Sequence, residues 1–282
     1  MTEPDGTPQL SDDPDTNFTE QTAAIHTVEV GRGWQGFLTD EGAADIHQTN
    51  GKVTCVDEGT PDGTVRNAGS GLYYVAIFLD SKGENLPEKE VLNKAIDTIV
   101  EELKPEVKTG KVNCITSHEG CGAAGLVWNL LSGEFKEQMG WRNPTDLAVW
   151  FSKQVAEKLN VKYEHIGLTG RPEHLHIALA TLVDFTAEGM SPDKISGTPP
   201  KMFVVSGRLN QARCIRQIVL TAKIATGGHG YGKDGGNRIT EAEPFRVVVA
   251  AKAGTDNNAF LQNLRGGLAE FGKRVKIVEC YL

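Results

Sequence analysis

From His26 onward, short β-branched runs alternate with longer stretches whose apolar positions recur every three or four residues. Residues 52–56 (KVTCV) form a compact apolar run that ends in the turn-rich 57–63 (DEGTPDG), the pattern of a strand running into a loop. Between 88 and 103, Val91, Leu92, Ala95, Ile96, Ile99, Val100 and Leu103 fall on one face at helical spacing, which predicts an amphipathic helix. A second short strand is predicted at 111–116 (KVNCIT), with helices following over 122–131 and 146–159. The same rhythm predicts strands at 174–183, 201–205, 245–251 and 274–278, with helices near 210–225 and 258–271. Residues 71–79 (GLYYVAIFL) are apolar throughout, so periodicity does not separate strand from helix there. Strands alternating with helices define an α/β class, with a mostly parallel central sheet flanked by helices on both faces.

Composition refines this picture at the N-terminus. Residues 1–22 are rich in Asp, Thr and Pro and poor in apolar side chains, so they read as a disordered acidic tail. Residues 23–282 then form a single α/β metal-binding domain. Six of the 37 acidic residues lie within the first 20 positions, which hold no Lys or Arg. The rest of the chain sets 31 acids against 29 bases, and no basic stripe suited to a phosphate backbone stands out. Nucleic acid is therefore not an expected partner. No apolar run approaches the roughly 18 residues of a membrane span, and no secretory signal is visible. Five scattered cysteines are unlike a disulfide scaffold and fit reduced thiols in the cytoplasm.

Three of the ligand-type side chains fall at matching places. Cys55 sits at the carboxyl end of the first predicted strand. His118 and Cys121 sit in the turn after the second, in Ser117-His118-Glu119-Gly120-Cys121-Gly122. Ligands of open parallel sheets gather beyond the carboxyl ends of strands. Two thiolates and an imidazole suit Zn2+, with the softer Cd2+ also acceptable, and three protein ligands leave a fourth position open. The ordinary alternative for a lone cysteine is the core, and that reading is applied to Cys114, Cys214 and Cys280. Asp57 lies two residues beyond Cys55, so in a strand the two share a side, and Asp57 can orient a nucleophile at the ion. Its ordinary alternative is a cap on the turn at Gly59.

These residues resemble carbonic anhydrases of the β and ζ types. Cys55-Val56-Asp57 matches the start of their Cys-x-Asp-x-Arg motif, and the 117–123 segment resembles the β-class His-x-x-Cys-Gly signature. Gly31-Arg32-Gly33-Trp34 upstream, and the Lys and Thr before Cys-Val-Asp, resemble the cadmium-accepting ζ class more. The resemblance implies a lyase that reversibly hydrates carbon dioxide to bicarbonate through metal-bound hydroxide. It also implies Cys55, His118 and Cys121 as ligands and Asp57 as the catalytic residue. The chain departs from the motif at one position: where the family places an arginine two residues after the aspartate, it has Gly59. Without that cation Asp57 can swing onto the metal and close the site, and Glu58 adds a further negative charge. Arg66 is the first candidate for a substitute cation, its ordinary alternative being a solvated surface arginine. Two other functions remain: hydrolysis of carbon disulfide or carbonyl sulfide at the same site, and a non-catalytic metal-binding protein closed by Asp57.

The glycine-rich 227–236 lacks both the P-loop ending and the dinucleotide fingerprint and reads as a mobile surface loop, with no organic cofactor implied. His229 and Tyr231 within it are candidates for moving protons. His174 and His176 share a predicted strand face but lack a third partner, so they read as ordinary polar residues. The sequence sets no oligomeric state.

Overall fold

The computed structural model describes residues 13–40, 51–56, 60, 64–80, 86–167, 178, 180–184, 200, 202–206, 211–227, 230–232 and 237–282. The α/β class and the parallel pairing are present, with the strands divided between two four-stranded sheets. The chain separates into two compact units, where the sequence reading has one domain over 23–282. One unit is built from residues 49–56 and 62–174, the other from 1–48, 57–61 and 175–282.

The first segments are two helices, α1 (Pro14–Val30) and α2 (Gly33–Asp40). Half of α1 lies inside the stretch expected to be disordered, and local chemistry explains why. The Asp13 side chain accepts the Thr16 N–H at 2.8 Å as an N-cap, and Pro14 occupies the first helical turn, where its missing N–H costs nothing. The helix buries Ile25 and Val28 together with the polar Asn17 and Gln21. A buried face that is half polar carries little apolar signal in composition. Its polar groups find partners instead: the hydroxyl of Tyr231 donates to Asn17 Oδ1 at 2.8 Å. Residues 1–12 lie outside the described part of the chain.

The unit that carries the candidate ligands has a sheet in the order β2-β1-β3-β4, all parallel. Its strands are β1 (Lys52–Thr54), β2 (Val65–Arg66), β3 (Cys114–His118) and β4 (Lys162–Ile166). Its helices are α3 (Tyr73–Asp80), α4 (Glu88–Lys108), α5 (Gly122–Leu130), α6 (Gly133–Gln138) and α7 (Pro144–Leu159). The ambiguous apolar run resolves into a short 3-10 turn, Ala68–Gly71, followed by α3. Every residue of α4 placed on one face by periodicity, from Val91 to Leu103, is buried. Acidic Glu88 and Glu90 sit in its first turn and Lys108 in its last, which complements the helix dipole. The Asn143 side chain caps α7 by accepting the Asp146 N–H at 3.0 Å, and Asn160 ends it in the left-handed region at φ 54°. The buried stripe Leu147, Ala148, Phe151, Ser152, Val155 and Ala156 packs α7 on β3 and on α4. All five residues of β3 are buried, so this strand is the spine of the unit.

The other sheet runs β6-β5-β7-β8. It contains β5 (Ala180–Asp184), β6 (Met202–Ser206), β7 (Phe245–Ala251) and β8 (Val275–Tyr281). It is flanked by α8 (Gln211–Thr226), within a residue of the helix expected near 210–225, and α9 (Asn258–Gly267), which begins where the helix near 258–271 is expected. The second of these ends at Gly267 and is followed by a 3-10 turn, Ala269–Arg274. Among the described residues no helix is long and apolar enough to cross a membrane.

Ile99 stands where the 3-10 turn meets α4: a side chain on Gly71 would come within 2.6 Å of its Cγ1. Ile99→Ala is expected to cost about 2–5 kcal/mol, as large-to-small core changes do, read as a lower urea midpoint.

Candidate metal centre

The parallel pairing of β1 with β3 brings their carboxyl ends to one edge of the sheet. Cys55 follows the last residue of β1, and His118 is the last residue of β3 rather than part of the turn beyond it. Gly120, at φ 63°, then reverses the chain within two residues and places Cys121 at the N-cap position of α5. The ligand atoms of Cys55, His118 and Cys121 lie within 4.8 Å of one another, and all three residues are buried. Their exposures are 3%, 2% and 5%.

The geometry fits a metal. The two sulfurs are 3.9 Å apart, and two metal–sulfur bonds of about 2.3 Å at a tetrahedral angle separate their sulfurs by about 3.8 Å. His118 Nδ1 is 2.7 Å from the Glu119 carbonyl. A carbonyl only accepts, so Nδ1 carries the hydrogen, and the neutral ring presents its lone pair on Nε2. This is the arrangement by which an outer hydrogen bond orients a ligating histidine. Burial first, and then the neighbouring Cys121, push the Cys55 thiol well above its ordinary pKa, with His118 acting the other way. An uncompensated thiolate pair is therefore disfavoured here, and a divalent cation removes the conflict.

Around the sulfurs runs the 3-10 turn. The Gly69 N–H donates to Cys55 Sγ at 3.2 Å. A Cβ on Gly69 would sit 2.9 Å from that of Leu72, 3.1 Å from that of Ala123 and 3.5 Å from Cys121 Sγ. Gly69 (φ 56°) is followed by Ser70 (φ 53°), so two successive residues are left-handed, the second with a side chain. Such a conformation costs a non-glycine residue about 1–3 kcal/mol. The Ser70 hydroxyl donates to the Thr116 carbonyl at 2.5 Å, and the Ser152 hydroxyl donates to the same oxygen at 3.2 Å. Thr116 in turn donates through its own hydroxyl to the Val53 carbonyl at 2.8 Å.

Arg66 is not on the surface. It is 2% exposed and donates from Nη1 to the Cys55 carbonyl at 3.1 Å, having been delivered there by the pairing of Thr54 with Arg66. Asp57, Glu58 and Gly59 lie outside the described residues, as do His174, His176 and His229. Tyr231 is buried, against the expectation of an exposed loop, because its ring packs edge-on against Phe18 at 5.1 Å and its hydroxyl is held by Asn17. The core reading of Cys114, Cys214 and Cys280 agrees with their burial. Burial alone pushes the Cys280 thiol up to about 11.

Sequence reasoning missed Gly69, Ser70 and Ser152. The run Gly69-Ser70-Gly71 signals a tight turn, but nothing in it tells which sulfur the turn encloses. Comparison with protein-family models, with curated proteins and with solved structures finds no match.

Elemental analysis of the purified protein is expected to give about one divalent metal ion per chain, with Cys55→Ser, His118→Ala and Cys121→Ser each abolishing stoichiometric binding. The sign of the pH dependence follows from the raised Cys55 pKa. Binding must displace the thiol proton, so affinity falls as pH falls, by at least about tenfold per unit between pH 8 and 6 in a chelator competition titration.

Proposed function

We propose that the protein is a metal-dependent lyase of carbonic-anhydrase type, hydrating carbon dioxide reversibly to bicarbonate, with Zn2+ as the resident ion and Cd2+ able to replace it. The observation that carries this reading is the convergence of Cys55, His118 and Cys121 at the carboxyl edge of a parallel sheet. Among the described residues three ligands converge, and three protein ligands are the mark of a catalytic site, since a structural zinc has four. A bound divalent ion supplies Lewis acidity and makes a nucleophile available at neutral pH.

The chain's own residues do the rest. Cys55 and Cys121 neutralise the ion, and His118 adds a neutral ligand held by the Glu119 carbonyl. Asp57, two residues past Cys55, is assigned to orient the nucleophile. Arg66 supplies the cation missing at Gly59: its guanidinium already holds the Cys55 carbonyl, two residues before Asp57 in the chain.

Stopped-flow hydration of carbon dioxide with the Zn2+- and Cd2+-loaded protein tests the reading, with carbon disulfide and carbonyl sulfide assayed alongside. A rate above buffer background on carbon dioxide is expected with at least one ion. Metal-loaded protein idle on all three substrates points to a closed, non-catalytic site. Arg66→Leu is expected to lower the rate about 10- to 100-fold with metal content unchanged, the size of effect seen when outer partners of metal sites are removed. Arg66→Lys should retain more of the rate than Arg66→Leu.

A further inference from the structure

The 3-10 turn around Cys55 has a hydrogen-bonded foundation of its own. Gly69 donates to Cys55 Sγ from a turn that takes two left-handed residues in succession. Glycine accepts that conformation freely, and a serine does not. Ser70 is 1% exposed, so solvent does not stabilise the unusual backbone. What holds it is the hydroxyl, donated at 2.5 Å to the Thr116 carbonyl, two residues before the ligand His118. The same turn is braced by the Asn67 N–H on the Thr54 carbonyl at 2.8 Å and the Ser70 N–H on the Asn67 carbonyl at 2.9 Å. One hydroxyl thus couples the strand that ends in His118 to the backbone N–H that reaches Cys55.

We propose that Ser70 is a positioning residue of the metal centre, its hydroxyl holding the Gly69 N–H on Cys55 Sγ and so setting how strongly that sulfur donates to the bound ion. This rests on the metal reading given above, though not on the identity of the substrate. An N–H bonded to a thiolate stabilises the buried negative charge, which favours the ligating form, and also withdraws electron density from sulfur. With two thiolates already cancelling the charge of the ion, that withdrawal keeps the ion electrophilic. Loss of the Ser70 hydroxyl frees the turn to relax toward ordinary backbone angles, which carries the Gly69 N–H away from the sulfur. Ser152 serves as an internal comparison. It donates to the same Thr116 carbonyl at 3.2 Å from α7, yet has no part in the turn.

The test uses the full chain loaded with Cd2+ or Co2+ and reads two quantities: the thiolate-to-metal charge-transfer absorption, and the affinity in competition with a chromophoric chelator. Ser70→Ala is expected to shift the absorption band and to weaken binding about 10- to 100-fold. Ser70→Gly removes the hydroxyl while relieving the left-handed strain. It is expected to shift the band in the same direction but by less, with an unfolding midpoint at or above that of Ser70→Ala, and it carries the test should Ser70→Ala fail to fold. Ser152→Ala should lower the unfolding midpoint and leave band and affinity in place. The proposal is overturned if both Ser70 variants keep the wild-type band and affinity, or if Ser152→Ala moves them as far. Wild-type protein that binds neither ion overturns this proposal and the metal reading together. Wild-type protein that binds metal but does not hydrate carbon dioxide removes the lyase reading alone, and the Ser70 comparison still decides.

Discussion

Two sulfur atoms 3.9 Å apart, each shielded from water, set the terms for everything near them. Sulfur is a poor hydrogen-bond partner, and a thiolate in an apolar surround carries a desolvation penalty of several kcal/mol that its neighbour's charge only worsens. The arrangement becomes favourable once a dication sits between them. The neighbourhood favours the ligating forms: the His118 ring is pinned through Nδ1, the Gly69 N–H donates to Cys55 Sγ, and Cys121 stands at the N-terminus of α5, whose dipole favours a thiolate. None of these contacts alone would hold two cysteines together. The parallel pairing of β1 and β3 does that, and the others tune what it has brought into place.

Behind the sulfurs lies a knot of polar groups in an otherwise dry core. The Thr116 carbonyl takes hydroxyl bonds from Ser70 and Ser152, while the Thr116 hydroxyl reaches back to the Val53 carbonyl. In a low-dielectric interior such bonds are individually stronger, and each is costly to leave unmade. They join β1, β3, α7 and the 3-10 turn across the strand that ends in His118. Small independent movements of those elements are therefore suppressed, which suits a site whose ligand geometry must be kept to a fraction of an ångström.

The periodic parts of the fold are legible in the sequence. The buried face of α4 can be read residue by residue, and the strands at 245–251 and 201–205 lie within a residue of where they are expected. These segments obey one rule each, a helical stripe or a buried run. The site is legible as far as its ligands, because cysteine and histidine at the ends of neighbouring strands have few other reasons to converge. The rest fails for physical reasons. Asn17 and Gln21 are buried through hydrogen bonds that composition does not record, so α1 reads as tail. Arg66 can be singled out as a candidate cation but its burial cannot, because charge is normally solvated and the carbonyl it holds, that of Cys55, follows the adjacent strand. Ser70 reads as an ordinary turn residue, since the bond that accompanies its positive φ runs to the Thr116 carbonyl, 46 residues away, and is not a local preference. Two sheets in place of one is a matter of which strands are neighbours, and apolar patterning is silent on that.

The chain order of the unit that contains α1 bears on how the protein is made. Asn17 meets Tyr231 across 214 positions. At a synthesis rate of about 5–20 residues per second, roughly 10–40 s pass between the emergence of the two. Residues 62–174, the bulk of the other unit, leave the ribosome within that interval with their own core complete. α1 thus waits for Tyr231 while the intervening chain is made. Its waiting face mixes Asn17 and Gln21 with Ile25 and Val28, a surface wet enough to stay soluble while the rest of the protein is still being translated.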